Sequence, residues 1–168
     1  MAEGRSPEVQ DQDPSGGITS NAEAKTTSNS NCVFCKIITK EAPAAILYED
    51  EDYVCFSDRH PVATHHYLVI PKNHIKDPKS LRQEHIPLVE RMVEIGKQVL
   101  SEQGGNVEEA RIGFHWPPII FVKHLHLHVI SPESSMGWFS RSILFRVDSF
   151  AFASHTWMID HLRTMQQD

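Results

Sequence analysis

The segment HLHLHVI, residues 124–130, constrains the fold of this chain more than any other stretch. Histidine stands at every second position, and leucine or valine separates the histidines. A repeat of two is that of a β-strand, in which successive side chains point to opposite faces. The segment therefore predicts a strand that presents His124, His126 and His128 on one face and packs its apolar face on a core. Pro132 is expected to end this strand.

Three histidines on one strand face can serve as metal ligands or as catalysts. Positions i, i+2 and i+4 span roughly 13 Å of strand, whereas zinc bonds its ligands at about 2 Å, so the three cannot share one zinc ion. Histidine can also attack phosphorus or acyl centres when one ring nitrogen is free and the other is held. His126 is the best placed nucleophile, because it has an imidazole on each side. A polar outer face that merely uses histidine is the structural alternative.

The patterns in the rest of the chain predict an α+β fold with an antiparallel sheet. AILYEDEDYVCFSD is typical of two strands around an acidic turn, and HHYLVIP and ARIGFH predict a third and a fourth strand. CVFCKII predicts a short helix. A longer helix is indicated by the apolar stripe Leu88, Met92, Ile95 and Val99, with its start set by a capping box of Ser80 and Gln83 and by Pro87.

The chain divides into three parts. Residues 1–31 are rich in small, polar and acidic residues, and we expect a disordered N-terminal tail there because so little apolar area could be buried. Residues 32–131 hold all the motifs described so far and form the expected domain. Residues 132–168 form a C-terminal extension, in which RSILFRVDSFAFA is expected to be extended and SHTWMIDHLRTMQQD to be a final helix.

Composition excludes some classes of partner. Sixteen Lys and Arg against 22 Asp and Glu give a net charge of −6, so nucleic acid and anionic membranes are unlikely partners by electrostatics. No apolar run is long enough for a membrane span, and the N-terminus lacks the apolar core of a signal peptide. Three cysteines, an odd number, favour a reducing compartment. We expect a cytoplasmic protein that is also found in the nucleus.

HLHLHVI resembles the signature of the histidine triad (HIT) superfamily, in which three histidines alternate with hydrophobic residues. CVFCKIITKEAPAAILYEDEDYVCFSD and THHYLVIPKNHI resemble the Hint branch in order and spacing, so the similarity covers residues 32–131. ARIGFH and the tail are similar to the third type of Hint protein, and aprataxin is the next relative. The resemblance implies the HIT fold, a five-stranded antiparallel sheet with two main helices, here followed by the C-terminal extension. It also implies a homodimer or a larger homo-oligomer.

The resemblance implies an activity and a catalytic set. The activity is that of a purine nucleoside 5′-phosphoramidase, which splits AMP from an amine or a lysine, with acyl-adenylates as further substrates and no required cofactor. In the family the middle histidine, here His126, attacks the α-phosphorus and forms a nucleotidyl-histidine that water then hydrolyses. His128 would contact the phosphate or the leaving group. His124 would orient His126, with His66 behind it.

The resemblance also implies the residues that bind the purine nucleotide. Asp58 would hold the ribose hydroxyls as a charged acceptor, and His115 would stand beside the α-phosphate. Arg59, where Hint proteins often have an aliphatic residue, would alter the edge of the base or ribose. Phe34, Ile37 and Phe56 would line the base pocket. The residue types alone leave other roles open: a turn for Asp58, a buried structural histidine for His66, and ordinary core for the three apolar residues.

Cys32 and Cys35 form a C-x-x-C motif. Some relatives bind zinc with such a pair and two histidines, so the resemblance makes His66 and His124 the candidates to complete a zinc site. A lone C-x-x-C is weak evidence, because a thiol such as Cys55 in an apolar strand is a plain core residue.

The connection before the histidines departs from the family pattern. Most Hint-type proteins carry a serine three residues before the first triad histidine, where this chain has Phe121. Loss of one hydroxyl donor to a phosphate can cost about 100- to 1,000-fold in rate. A catalytically weak nucleotide-binding module, or sensor, is therefore the first alternative function. An aprataxin-like DNA 5′-adenylate hydrolase and a dinucleoside polyphosphate hydrolase of the Fhit branch are the others.

Overall fold

A computed structural model of the chain describes Met1 and residues 27–165. The six strands are β1 (Ile46–Glu49), β2 (Tyr53–Ser57), β3 (His65–Pro71), β4 (Arg111–His115), β5 (Leu127–Ser131) and β6 (Phe152–Ser154). The helices are α1 (Val33–Ile38), α2 (Ile86–Glu102) and α3 (His155–Thr164). The strands form one antiparallel sheet in the order β1-β2-β3-β5-β4-β6. The expected α+β class with an antiparallel sheet is confirmed.

The C-terminal extension contributes a strand that the sequence analysis did not predict as part of the sheet. β6 pairs with β4, with Phe114 opposite Ala153 and His115 opposite Phe152. The close approach depends on Gly113, since a Cβ atom there would collide with the carbonyl oxygen of Ala153. The sheet therefore has six strands among the described residues, one more than the five expected.

The start of the extension is not extended. Residues Ser140–Leu144 form a π-helical turn, and only Phe152–Ser154 are a strand. Arg111 on β4 holds this turn, because its guanidinium donates to the carbonyl oxygens of Arg141 at 3.0 Å and Phe145 at 2.7 Å. The expectation of one extended segment from 141 to 153 was wrong, since these long-range hydrogen bonds satisfy the backbone in a turn.

Strand β5 begins later than the histidine pattern suggests. It starts at Leu127, while the segment before it is held by hydrogen bonds from the His124 amide to the Val122 carbonyl and from the Leu125 amide to the Ile75 carbonyl. The alternation of faces nevertheless continues through the whole segment. Leu125, Leu127 and Val129 are buried in the core against α2, and the three histidines are buried on the other face.

Helix α2 begins at Ile86, directly before Pro87, as expected. The capping box was placed wrongly. Ser80 lies in a short 3₁₀ turn that is capped by Asp77, whose Oδ1 accepts from the amide of Ser80 at 3.0 Å. A second 3₁₀ turn, Gln83–His85, separates that turn from the helix, so a local carboxylate takes the hydrogen bond that the capping box required.

The sheet separates two apolar layers. On one face, α2 and α3 pack on the main core, which includes Met92, Ile95, Met158 and Leu162. On the other face, α1 and the turn after β5 cover two smaller clusters around Phe56 and Phe145. The triad histidines lie on this second face.

Two further expectations concern the N-terminal tail and the absence of a membrane-spanning segment. Of the expected disordered tail, residues 2–26 lie outside the described residues. Within the part of the chain that is described, no helix combines the length and the apolar character that crossing a bilayer requires.

Candidate active site and metal centre

His126 is held in one tautomer. Its Nδ1 lies 2.6 Å from the carbonyl oxygen of His124, and because a carbonyl can only accept, Nδ1 carries the proton. The lone pair is therefore on Nε2. The ring is buried, with the edge of Phe34 at 5.3 Å between centroids, and burial lowers the pKa of His126 to about 4. At neutral pH this imidazole is uncharged, as a nucleophile must be.

His128 and His66 form a hydrogen-bonded pair. Nδ1 of His66 accepts from the amide of Val62 at 3.3 Å, so its Nε2 carries the proton and donates to Nδ1 of His128 at 2.9 Å. The proton of His128 is then on Nε2, which is buried and has no hydrogen-bond partner among the described residues. Asp58 approaches the same pair, with Oδ2 3.5 Å from Nε2 of His66.

The position of His66 corrects one expectation. His66 lies beside His128 rather than behind His124, whose Nε2 donates instead to the carbonyl oxygen of Pro71 at 2.8 Å. The reason is the strand register, which places His66 opposite Ile130 and therefore at the far end of the histidine segment from His124. Burial lowers the pKa of His66 to about 4, although the Asp58 carboxylate opposes part of this shift.

His115 and Phe145 close the same side of the site. The ring of His115, on β4, lies 4.7 Å from that of His128, and its Nδ1 donates to the carbonyl oxygen of Ala151 at 3.2 Å. Phe145, from the extension, packs 4.7 Å from His115, 5.2 Å from His128 and 5.7 Å from His66. The sequence analysis missed Phe145, because nothing in its local pattern signals a contact with histidines far away in the chain.

A cavity of about 700 Å³ is connected to the histidine cluster through Asp58, which lines it and lies 3.5 Å from His66. Its lining includes four of the residues that were predicted to bind the nucleotide, namely Ile37, Phe56, Asp58 and Arg59, together with Val33, Pro43, Ala44, Ala45 and Ser57. Phe34 does not line the cavity. Its ring packs between Phe56, at 5.5 Å, and His126, at 5.3 Å, so it lies between a lining residue and His126.

Asp58, which lines this cavity, is held by local contacts. Its Oδ1 accepts from the amide of His60 at 2.8 Å, and its Oδ2 faces His66. The side chain of Arg59 is exposed at the rim. Phe121 is 76% exposed, with its ring 5.9 Å from His115, so an apolar surface occupies the position at which a hydroxyl was expected in the family.

A second cluster joins the N-terminal cysteines to His124. Sγ of Cys32 and Cys35 lie 3.5 and 3.6 Å from Nδ1 of His124, and Sγ of Cys35 lies 3.3 Å from Nδ1 of His74. Ligands at zinc bond lengths in a tetrahedron are separated by about 3.5 Å between sulfur and nitrogen. The three sulfur–nitrogen distances match this spacing, and all four potential ligand atoms lie within 4.8 Å of one another.

This cluster corrects the proposed zinc ligands. His74 takes the place given to His66. The signal that could have found it is the position of His74 directly after β3, since the antiparallel partner of that strand end is the start of the histidine segment. The tautomer of His124 also fits a metal, because its Nε2–H donates to the Pro71 carbonyl and leaves the Nδ1 lone pair toward both thiols.

Comparisons with known proteins agree on one family. The family model described as "Scavenger mRNA decapping enzyme C-term binding" matches residues 31–143. The chain is 42% identical over 151 residues to adenosine 5′-monophosphoramidase HINT3 of Xenopus tropicalis, covering 85% of this chain and 98% of the relative. It is 40% identical over 166 residues to the Mus musculus protein of that name, covering 97% and 99%. A HIT family hydrolase from Clostridium thermocellum has a similar structure, with 32% identity and a TM-score of 0.58 over 61% of this chain and 91% of that chain.

Proposed function

This chain belongs to the histidine triad superfamily, and we propose that it is a hydrolase that cleaves the P–N bond of AMP joined to an amine or a lysine. The relatives at 40–42% identity, which share the name adenosine 5′-monophosphoramidase, support this activity. The observation that carries the proposal is the tautomer of His126. Its Nδ1–H is bonded to a backbone carbonyl, so Nε2 is free to attack phosphorus.

The cavity lined by Ile37, Phe56 and Asp58 supports a purine nucleotide as the substrate. A volume of about 700 Å³ is ample for a nucleoside, and small-molecule sites combine an apolar lining with a few polar groups. Ile37 and Phe56 supply apolar contact for the base, and Asp58 supplies a carboxylate for the ribose hydroxyls. With the ribose on Asp58, the 5′-phosphate would be directed toward the histidines, because Asp58 also contacts His66.

The first chemical step exchanges one bond to phosphorus for another. Nε2 of His126 attacks the α-phosphorus, a P–N bond to histidine forms and the P–N bond to the amine breaks. The leaving nitrogen departs as a neutral amine, so the phosphoramidate nitrogen reacts in its protonated form, with that proton taken from solvent. Neutral His128 donates its Nε2–H as a hydrogen bond to the phosphoryl oxygen, where negative charge develops; this donor has no partner in the described chain, and an unpaired buried donor is costly. His115 contributes a further imidazole beside the same position.

The second step regenerates the enzyme. Water attacks the nucleotidyl-histidine and gives its proton to Nε2 of His115, whose Nδ1–H is bonded to the Ala151 carbonyl. The P–N bond to His126 breaks, AMP leaves, and His126 returns to its neutral form. The hydrogen bond between His66 and His128 keeps Nδ1 of His128 occupied through both steps. Acyl-adenylates, in which the leaving oxygen belongs to a carboxylate, would react by the same displacement.

We also propose that Cys32, Cys35, His74 and His124 hold a structural zinc ion. Burial raises the pKa of the Cys32 thiol, and zinc would stabilise the thiolate at this position instead. The ion would tie α1 to the start of the histidine segment. The chemistry at phosphorus requires no metal in this scheme.

Slow turnover is the second candidate, and Phe121 favours it. The exposed ring stands where a phosphate-contacting hydroxyl was expected, so the nucleotide could bind well and react slowly. The protein would then act mainly as a nucleotide-binding module.

Hydrolysis of an AMP–lysine phosphoramidate by the wild type and His126→Ala tests the proposal. We expect His126→Ala to lose on the order of 1,000-fold or more in kcat, as removal of a nucleophile commonly does, and to keep AMP affinity. Acid-quenched wild type should gain the mass of one AMP at His126. His161→Ala, on α3 at the other face of the sheet, is the matched control and should keep full activity.

Three results separate the candidates. An adduct at His124 or His128, or full activity in His126→Ala, contradicts the assignment of the nucleophile. AMP binding without a detectable adduct in the wild type favours the binding module. The homodimer and the cytoplasmic and nuclear location stay predictions, to be tested by sedimentation and by imaging of the tagged chain.

A further inference from the structure

A second cavity lies in the part of the chain that follows the histidine segment. It has a volume of about 180 Å³ and is lined by Trp116, Asp148, Ser149, Phe150, Ala153 and Trp157. Three of the six residues are aromatic, and one is a carboxylate. This composition differs from that of the nucleotide cavity, and the proposed phosphoramidase reaction uses none of these residues.

The cavity is on the opposite face of the sheet from the histidines. His115 pairs with Phe152, and their rings are 5.6 Å apart on the histidine face. The next residue along each chain segment, Trp116 and Ala153, therefore points to the other face. Trp116 packs accordingly on the core beneath α2 and α3. A ligand in this cavity would not touch the reacting atoms.

The two tryptophans that line the cavity contact each other edge to face. The indole rings of Trp116 and Trp157 are nearly perpendicular, at 87° with centroids 5.3 Å apart. His161 stacks on one face of Trp157 at 4.7 Å and 12°, which fixes the orientation of that ring on α3. Phe150 is 73% exposed, which leaves its ring available at the rim.

The carboxylate is fixed beside these rings. Oδ1 of Asp148 accepts from the amide of Ser154 at 2.9 Å, and its backbone has a φ of +50°, a conformation that non-glycine residues seldom adopt. The first oxygen is thus occupied at the start of α3, and the second accepts no hydrogen bond within the described residues. A cation is the ligand that both a carboxylate and the faces of aromatic rings attract.

The ammonium group of Lys79 lies over the ring of Trp116, one of the tryptophans that line the cavity. Nζ of Lys79 stands 5.8 Å from the centroid of the Trp116 ring, although Lys79 does not line the cavity. The ring therefore has a face that accepts an ammonium group. The cavity itself is small, of the size of an alkylated ammonium group and too small for a nucleotide.

We propose that this cavity binds an alkylated ammonium group, such as the side chain of trimethyl-lysine or the head of a quaternary amine. Two indole rings and a phenyl ring contact the methyl groups and the positive charge, and Asp148 neutralises the charge. An unmethylated ammonium holds its water more strongly, so it should bind more weakly. A protein-borne trimethyl-lysine and a free quaternary amine share this chemistry.

Titration of the full chain with Nα-acetyl-trimethyl-lysine methylamide and with choline tests the proposal, read by the indole N–H resonances of the three tryptophans. We expect dissociation constants on the order of 0.1–1 mM, with shifts at Trp116 and Trp157 and none at Trp138. The neutral analogue with carbon in place of nitrogen should bind about tenfold more weakly. Tighter binding of the lysine derivative indicates a peptide source, and equal binding indicates a small amine.

Two variants and one control locate the site. Asp148→Asn keeps the acceptor for the Ser154 amide and should weaken binding about fivefold, and Trp157→Leu should abolish it. Trp138→Leu removes an exposed indole outside the cavity and should change nothing. All three should keep the AMP–lysine hydrolysis of the wild type, which reports that the sheet is intact.

Several results overturn the proposal. Equal binding of the neutral analogue would show an apolar cavity with no preference for charge. No binding at 100 times the expected dissociation constant would show that the cavity takes no such ligand. A dimer that dissociates in Trp157→Leu, measured by sedimentation, would show that a second copy of the chain covers this surface.

Discussion

Phe145→Ala tests whether the C-terminal extension keeps the histidines of the active site dry. The Phe145 ring is 4% exposed and contacts His66, His115, His128 and Phe152. The hydrogen bond from Arg111 goes to the carbonyl oxygen of residue 145, so the substitution keeps that anchor. It removes only the ring that separates the three imidazoles from solvent.

The substitution should change two quantities, the free energy of unfolding and the pKa of His66. Truncation of a buried phenylalanine costs about 3–5 kcal/mol of unfolding free energy. Burial, the largest cause, lowers the pKa of His66 from 6.5 to about 4. If water reaches the ring, this pKa should return toward 6.5, an upward change of as much as about 2.5 units. The pKa values of His115 and His128, which burial also lowers, should rise with it.

The pH dependence of kcat/KM for the AMP–lysine phosphoramidate reports this change. A histidine must be neutral to accept or relay a proton, so activity is lost as the pH falls through the pKa values of the free enzyme. The wild type should keep its activity down to about pH 5, and Phe145→Ala should lose it between about pH 7 and 5. Phe139→Ala, at an exposed ring of the same extension, should keep the wild-type profile.

Phe145→Leu serves where the alanine variant proves too unstable, since it keeps an apolar contact and should shift the acid limb less. The reasoning is refuted if a folded Phe145→Ala protein shows the same acid limb as the wild type. Equal losses at every pH would also count against it, because they would indicate displaced histidines rather than altered protonation.

Three further predictions concern other parts of the same face. His74→Ala should lose bound zinc and His66→Ala should keep it, by metal analysis of chains purified without chelator; less than a tenth of an equivalent in the wild type contradicts the metal site. Phe121→Ser should raise kcat about tenfold, and an unchanged rate in a folded variant contradicts the role given to the missing hydroxyl. The folded-state pKa of His66 is depressed to about 4, so its contribution to stability is present above pH 6.5 and is lost as the pH falls through 4. In urea unfolding, the wild type should lose roughly 3 kcal/mol more unfolding free energy between pH 6.5 and 4 than His66→Leu does. An equal loss in the two proteins would contradict this role of His66.

The sequence predicted the elements whose signals are local. Alternating histidines and leucines predicted the two faces of the strand, since side-chain direction in a strand depends only on the position along the chain. Pro87 located the start of α2, because proline fits the first turn of a helix. The capping box failed for the opposite reason. Its residues can form the motif, but Asp77 competes for the same amide, and the outcome depends on the whole loop.

The strand in the C-terminal extension could not be predicted, because it depends on another strand far away in the chain. Residues 152–154 are a strand only because β4 has a free edge and Gly113 lets another backbone approach closely. Neither condition can be seen in the three residues themselves. The contact of Phe145 with the histidines follows from the same docking, so both were missed together.

The partners of the histidines depend on strand register, which alternation cannot supply. β3 and β5 are adjacent in the sheet, but a helix and a strand separate them in the chain, so no tight turn fixes which residues face each other. The observed register sets His66 opposite Ile130, and the Leu125 amide bonds to the Ile75 carbonyl at the other end. Because the two strands are antiparallel, His66 near the start of β3 meets the end of the triad, and His74, which follows β3, meets its start. One register therefore places His66 beside His128 and His74 beside Cys35 and His124, and it keeps the two clusters apart on a single sheet face.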